Sequence, residues 1–131
     1  MGAAVSLRDP ASGASLRLLV AQPSWSRTSL SPDYGAAPRN GWYLTVHVRL
    51  VATGDQPITI GPTDFYVRGP GGGKTTTDDG NAEESGASQA LGTTVADPGE
   101  TVTGPLTFDV AQRHGLVVYA PTATTACSWR F

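Results

Sequence analysis

The stretch "GWYLTVHVRLVATG", residues 41–54, has the signature of a half-buried β-strand. Trp42, Leu44, Val46, Val48 and Leu50 take the even positions, against Tyr43, Thr45, His47 and Arg49 on the odd ones. A pleated strand places alternate side chains on opposite faces, so this pattern predicts one apolar face and one polar face. The 3.6-residue period of a helix would scatter the same residues around its axis. "GDQP" (54–57) then supplies turn chemistry, and "ITI" (58–60) restarts an extended segment before Gly61-Pro62.

A second alternation runs through "ETVTGPLTFDV" (100–110). Val102, Gly104, Leu106, Phe108 and Val110 share one phase, and Thr101, Thr103, Pro105, Thr107 and Asp109 the other. Pro105 has no N–H for a ladder, which predicts an edge strand or a local bulge. "DPGE" (97–100) ahead of it is a tight turn. Shorter strands are expected at 15–20, 64–68, 116–120 and 126–131, and "DVAQRHG" (109–115) is the one stretch that could form a helical turn. Residues 21–40 read as a long Pro/Ser-rich surface loop. Residues 69–90 read as a polar, acidic loop, with a mobile connection expected across 70–88.

Composition agrees with strands joined by turns. The 131 residues include 16 Gly and 10 Pro, and only 15% are charged. This length predicts one domain over 1–131, able to bury a core without a disulfide or metal staple. The net charge of −2 gives no electrostatic reason to expect nucleic acid or an anionic membrane. Eight of the nine basic residues are Arg, with Lys74 alone, a bias of GC-rich bacterial genes. The single cysteine, Cys127, excludes an internal disulfide and any multi-cysteine metal site.

No apolar run reaches the roughly 20 residues of a membrane span. The first twenty residues carry Arg8, Asp9 and Arg17 and have no signal-peptide core, so the chain is expected to be either cytoplasmic or a mature segment without its leader. "MGAAVS" matches a myristoylation pattern through Gly2 and Ser6, but bacterial composition favours reading residues 1–4 as an added start or flexible terminus.

Candidate chemistry is sparse. "GPGGGKT" (69–75) follows a strand as a phosphate-binding loop would, but the motif needs glycine at 68, where Arg68 stands. Threonines and acids follow it in place of a helix, so a hairpin loop with "KTTT" starting the returning strand is the better reading. Asp78, Asp79, Glu83 and Glu84 lack the ligand spacing of a calcium loop. His47 lies on the outward phase of its strand and His114 in a turn, with no nucleophile elbow anywhere in the chain. Cys127 shares its phase with Trp129 and Phe131, as a buried thiol would. No catalytic, cofactor or metal residue is therefore expected. Outward Tyr43, with Trp25 and Tyr34 in the loop, could form an aromatic platform for sugar.

The order of these segments resembles a known family. "L-x-D-P-x-x-G" precedes "GWYLTVHVRL", followed by "PITI-x-x-x-DFYV", "DPGETVTGPLTFDV" and "LVVYAP". The match spans roughly residues 5–121 and is most specific at Asp64-Phe65, Pro98-Gly99, Gly104 and Phe108-Asp109-Val110. It departs at Thr53-Gly54, where the family usually carries Asn, and at Ala111, where Pro is common. The pattern is similar to the immunoglobulin-like extracytoplasmic domains of Gram-positive bacteria, a domain of unknown function common in lipoproteins and related in fold to a secreted immunogenic antigen of mycobacteria. The resemblance implies a fold and an extracytoplasmic compartment, secreted or lipid-anchored at the cell surface. It brings no agreed catalytic or ligand residues.

The expected structure is an all-β, immunoglobulin-like antiparallel β-sandwich of about seven strands with long polar loops. Its core should hold Trp42, Leu44, Val46, Val48, Phe65, Leu106, Phe108 and Trp129. The expected role is a non-catalytic interaction domain contacting a protein partner at the cell surface, as a monomer or weak oligomer. The candidate surface is Trp25, Tyr34, Tyr43, His47 and Arg49. The alternative is a carbohydrate- or peptidoglycan-binding module using the exposed aromatics.

Overall fold

The strand at Trp42–Ala52 is the spine of the molecule in the computed structural model, which describes residues 1–10, 12–87, 90–122 and 125–131. In chain order the strands are β1 (Val5–Arg8), β2 (Ser15–Ser26), β3 (Trp42–Ala52), β4 (Ile58–Ile60), β5 (Phe65–Arg68), β6 (Lys74–Thr75), β7 (Thr94–Ala96), β8 (Thr101–Val110), β9 (Leu116–Tyr119) and β10 (Cys127–Arg130). One sheet has the order β1-β2-β3-β8 and the other β10-β9-β5-β6, while β4 and β7 form a two-stranded ribbon. Every pairing is antiparallel. Ten strands among the described residues replace the expected seven. β6 is the start of the returning strand expected at "KTTT", while the added β1 and β7 have only 4 and 3 residues, too few for alternation to register in sequence.

The two four-stranded sheets bury one continuous core. The even phase of β3 supplies Leu44, Val46, Val48 and Leu50. It meets Leu16, Leu18 and Val20 of β2 and Leu106, Phe108 and Val110 of β8. Phe65, Val67, Val117, Tyr119 and Trp129 close the core from the second sheet. Each such side chain stabilises the fold by roughly 1.5–3 kcal/mol relative to exposure. Seven of the eight expected core residues are buried. The exception is Trp42, which is only half-buried, because β3 begins at the mouth of the sandwich where the opposite sheet no longer covers it.

Three further expectations change. Strand β2 does not stop at Val20: its register skips between Ala21 and Ser24, then Ser24–Ser26 pair with Thr45–Tyr43. Gln22 sits at φ 54 in this bulge, and Pro23 needs no ladder partner there, so the residues that look like loop are an irregularity inside a strand. The surface loop thus begins at residue 27. Residues 109–115 form no helical turn: Asp109 and Val110 finish β8, and 111–115 bend into β9. Residues 1–4 are tied down at two points, since Gly2 N–H donates to Val20 O at 3.1 Å and Trp129 Nε1–H to Ala3 O at 2.8 Å.

Pro105 does lie on an edge strand, as its missing donor requires. Its carbonyl accepts from Leu91 N–H at 2.9 Å, which lays the preceding segment along that edge. Gly104 makes this possible: a Cβ there would stand 3.0 Å from Leu91 Cα. Asp64, in the short 3₁₀ turn Pro62–Asp64, accepts from Gly61 N–H at 2.9 Å and sets the entry to β5. No helix among the described residues is long and apolar enough to cross a membrane.

Candidate functional site

The outward phase of β3 and β8 begins as ordinary polar surface and ends under a roof. Tyr43 stands opposite Asp109, and Thr45 opposite Thr107, their hydroxyls 3.1 Å apart. Tyr43 and Asp109 are both fully buried, because residues 27–40 and 76–87 fold down over them. The Asp109 carboxylate accepts from the backbone N–H of Arg39 (2.7 Å), Asn40 (2.8 Å) and Asn81 (2.8 Å). The Tyr43 hydroxyl lies 2.6 Å from Ala36 O and 3.1 Å from Asn81 O, donating between the two carbonyls. Burial, then the negative charges of Asp109 and Glu84, push the Tyr43 hydroxyl above its ordinary pKa.

The two loops also bind one another. Leu30 N–H donates to Ser85 O and Ala36 N–H to Glu84 O, each at 2.7 Å. Gly35 and Gly86 both lie at positive φ where these loops touch, and a Cβ on Gly86 would come within 2.8 Å of Ser31 Cβ. The result is a packed polar platform with Tyr34 standing out of it at 63% exposure. The segment expected to be a mobile connection across 70–88 is hydrogen-bonded at Thr76, Asn81 and Glu84, and Ser88 lies outside the described residues.

Tyr43 is therefore outward in phase but not at the surface, a correction that alternation alone could not supply. His47 and Arg49 are exposed farther along β3, beyond the platform. Tyr34 is on the platform and Trp25 at the mouth of the sandwich. Of the five expected contact residues Tyr43 is thus withdrawn from the surface, and an aromatic platform that uses its ring is not presented to solvent.

A group that sequence reading missed gathers at that mouth. Trp25 from β2 meets Trp42 from the start of β3 edge to face at 6.3 Å and lies 5.6 Å from Phe131, after β10, with the two rings tilted by 54°. The Arg113 guanidinium stands 4.8 Å from the Trp42 ring and 5.3 Å from Trp25, and Arg27 lies 5.0 Å from Trp42. Both arginines are exposed and the rings half-buried. Nothing in the local sequence around Arg113, a turn residue, points to two tryptophans contributed by β2 and β3.

The remaining candidates are plain. Residues 69–73 close the β5–β6 hairpin, Gly69 N–H donating to Gly73 O at 2.9 Å, and Lys74 begins the returning strand with its ammonium 4.5 Å from the Tyr66 ring. The described residues include no α-helix that could start at this loop. Neither His47 nor His114 hydrogen-bonds to serine or aspartate among the described residues, and none of these residues forms a cluster of three or more His, Cys, Asp or Glu suited to a metal. Cys127 is half-buried, and burial pushes its thiol up to about 11.

Among solved structures the fold is similar to MPT63, a secreted protein from Mycobacterium tuberculosis (TM-score 0.71, 15% identity, 98% of this chain and 92% of that one). It is also similar to ycdA, a candidate lipoprotein of Bacillus subtilis (0.66, 19%, 88% and 36%). The yjhA protein of the same organism matches less closely (0.55, 16%, 81% and 73%). At these identities the likeness is one of fold. No curated protein matches the sequence. The family model for a domain of unknown function, DUF4352, matches residues 13–121, and the chain belongs to that family.

Proposed function

We propose that residues 1–131 act as one non-catalytic, extracytoplasmic interaction domain, with the loop platform as its contact surface for a protein partner. The carrying observation is the double anchor of 27–40 and 76–87 on Tyr43 and Asp109, which holds two long polar loops in one arrangement before any partner arrives. Pre-ordered loops avoid much of the entropy cost of binding, and loops on a rigid sandwich commonly carry recognition. Exposed Tyr34 is an anchor of the kind that dominates such contacts. Placement outside the cytoplasm is supported by similarity in fold to a secreted protein and a candidate lipoprotein.

The test is a photo-crosslinking residue at position 34 in the native host, compared with one at exposed Thr59 on β4. Protein adducts from position 34 and none from 59 are expected. Equal adducts from both, or none from 34, would remove the platform from the reading. Retention on purified peptidoglycan that Tyr34→Ala abolishes would move the function to cell-wall carbohydrate.

A further inference from the structure

Trp42 and Tyr43 are successive residues and so point to opposite faces of β3. Tyr43 supports the loop platform, whereas Trp42 opens toward the mouth of the sandwich, where Trp25, Phe131, Arg27 and Arg113 surround it. No carboxylate among the described residues forms an ion pair with either arginine. The surroundings reinforce their charge. The hairpin bearing Arg68 and Lys74 and the end of β10 bearing Arg130 meet at Leu116, immediately after the bend that carries Arg113. Strand register thus places five of the nine basic residues toward one end of a molecule whose net charge is −2, with the Arg68 and Lys74 side chains over the Tyr66 ring.

A guanidinium over an indole is held in place while its N–H edge stays free in the plane, the geometry that grips a carboxylate by two hydrogen bonds. Arg27 and Arg113 both lie near the same Trp42 ring, so their guanidinium carbons are no more than about 10 Å apart. Side chains two residues apart on an extended peptide are separated by roughly 7 Å and point the same way. We propose that this end of the sandwich docks an extended acidic segment of a protein partner, alternate Asp or Glu carboxylates seating on Arg27 and Arg113 over the Trp25–Trp42 pair. A long polyanion fits less well, because the rest of this net-negative chain repels it beyond the short basic end. The site faces away from the loop platform across β3 but adjoins it, since Arg27 is the first residue of the 27–40 loop.

Trp129 provides an internal control, since its indole N–H is bonded inside the protein to Ala3 O. The intact chain is titrated with a capped Gly-Glu-Ser-Glu-Gly peptide and with its Gln-for-Glu counterpart, and the three indole and the arginine Nε–H resonances are followed by NMR. The expected result is saturable shifts at Trp25, Trp42, Arg27 and Arg113 with the Glu peptide alone, Trp129 staying put. Arg113→Gln should weaken binding about tenfold, and Arg113→Lys should not restore it, because an ammonium lacks the planar fork. No shift, an equal shift with the Gln peptide, or full rescue by lysine overturns the proposal. Inorganic phosphate binding as tightly as the peptide reduces the site to a simple anion site and also overturns it. Shifts that grow with protein concentration alone, together with changes at Asp97 and Glu100 at the opposite end, assign the surface to a second copy of the chain instead.

Discussion

Tyr43 and Asp109 face one another across β3 and β8 on the solvent-side phase of both strands, and both are fully buried. Such a pair would ordinarily mark a polar exterior. Here each supplies the atom that a covering loop needs: the carboxylate accepts three backbone N–H groups, and the hydroxyl donates to the carbonyls of Ala36 and Asn81, the latter also accepting from Glu84 N–H at 3.0 Å. Buried backbone groups require partners, so two side chains suffice to fix two long loops over the sheet.

Removing the carboxylate leaves the amides of Arg39, Asn40 and Asn81 without their acceptor. Asp109→Ala should lower unfolding free energy by about 3 kcal/mol, less than three full desolvation penalties because water can enter the vacated space. Urea denaturation measures the loss, and hydrogen exchange should accelerate at those three amides before the core opens. A change under about 0.5 kcal/mol would show that the loops hold without Asp109.

Tyr43→Phe keeps the ring and deletes only the hydroxyl that reaches Ala36 O and Asn81 O. A cost of about 1 kcal/mol is expected, with the denaturant slope unchanged. Tyr43→Ala empties a fully buried site and should cost about 3–5 kcal/mol. Equal losses for the two variants would mean that the hydroxyl, not the packing, carries the effect.

Gly104 and Leu91 test the edge of the first sheet. A methyl at 104 would sit 3.0 Å from Leu91 Cα and 3.1 Å from its Cβ, backbone-level contacts that cannot be relieved by rotating a side chain. Gly104→Ala is expected to destabilise by about 1–3 kcal/mol and to weaken exchange protection at the Leu91 amide, which bonds to Pro105 O. Unchanged protection at Leu91 would refute the packing role given to this glycine.

Cys127 predicts a pH dependence. Burial holds the folded thiol protonated up to about 11, whereas the unfolded thiol releases its proton near its ordinary value of 9.0. Between those values the native state binds more protons than the unfolded one, so this contribution to stability is intact below about pH 9 and is lost as pH rises toward 11. Cys127→Ser should flatten that part of the stability curve. Alkylation at pH 8 should be slow and should still be accelerating above pH 10; a rate that levels off near pH 9 would contradict the burial.

Periodicity made β3, β8 and most of the core legible, because a strand's alternation is a local property and Leu44, Val46, Leu106 and Phe108 declare it within a few residues. Gly104 and Pro105 were also marked, one as a gap in an apolar phase and the other as a missing donor. The far end of β2 stayed hidden behind Gln22-Pro23, since a bulge breaks the period on which the reading depends.

Local pattern was enough to specify the sandwich, its edge strand at Pro105 and the buried faces of β3 and β8. Tertiary structure alone decided what covers the other face. Arg39 meets Asp109 across 70 residues of chain and Asn81 meets it across 28, contacts that no local pattern encodes. Tyr43 consequently became an internal anchor when its phase had promised a surface ring. Arg113 became the roof of Trp25 and Trp42 only because β2, β3 and the β8–β9 bend end at the same mouth of the sandwich. Alternation states which way a side chain points, and only the packing of distant segments states whether water is there to meet it.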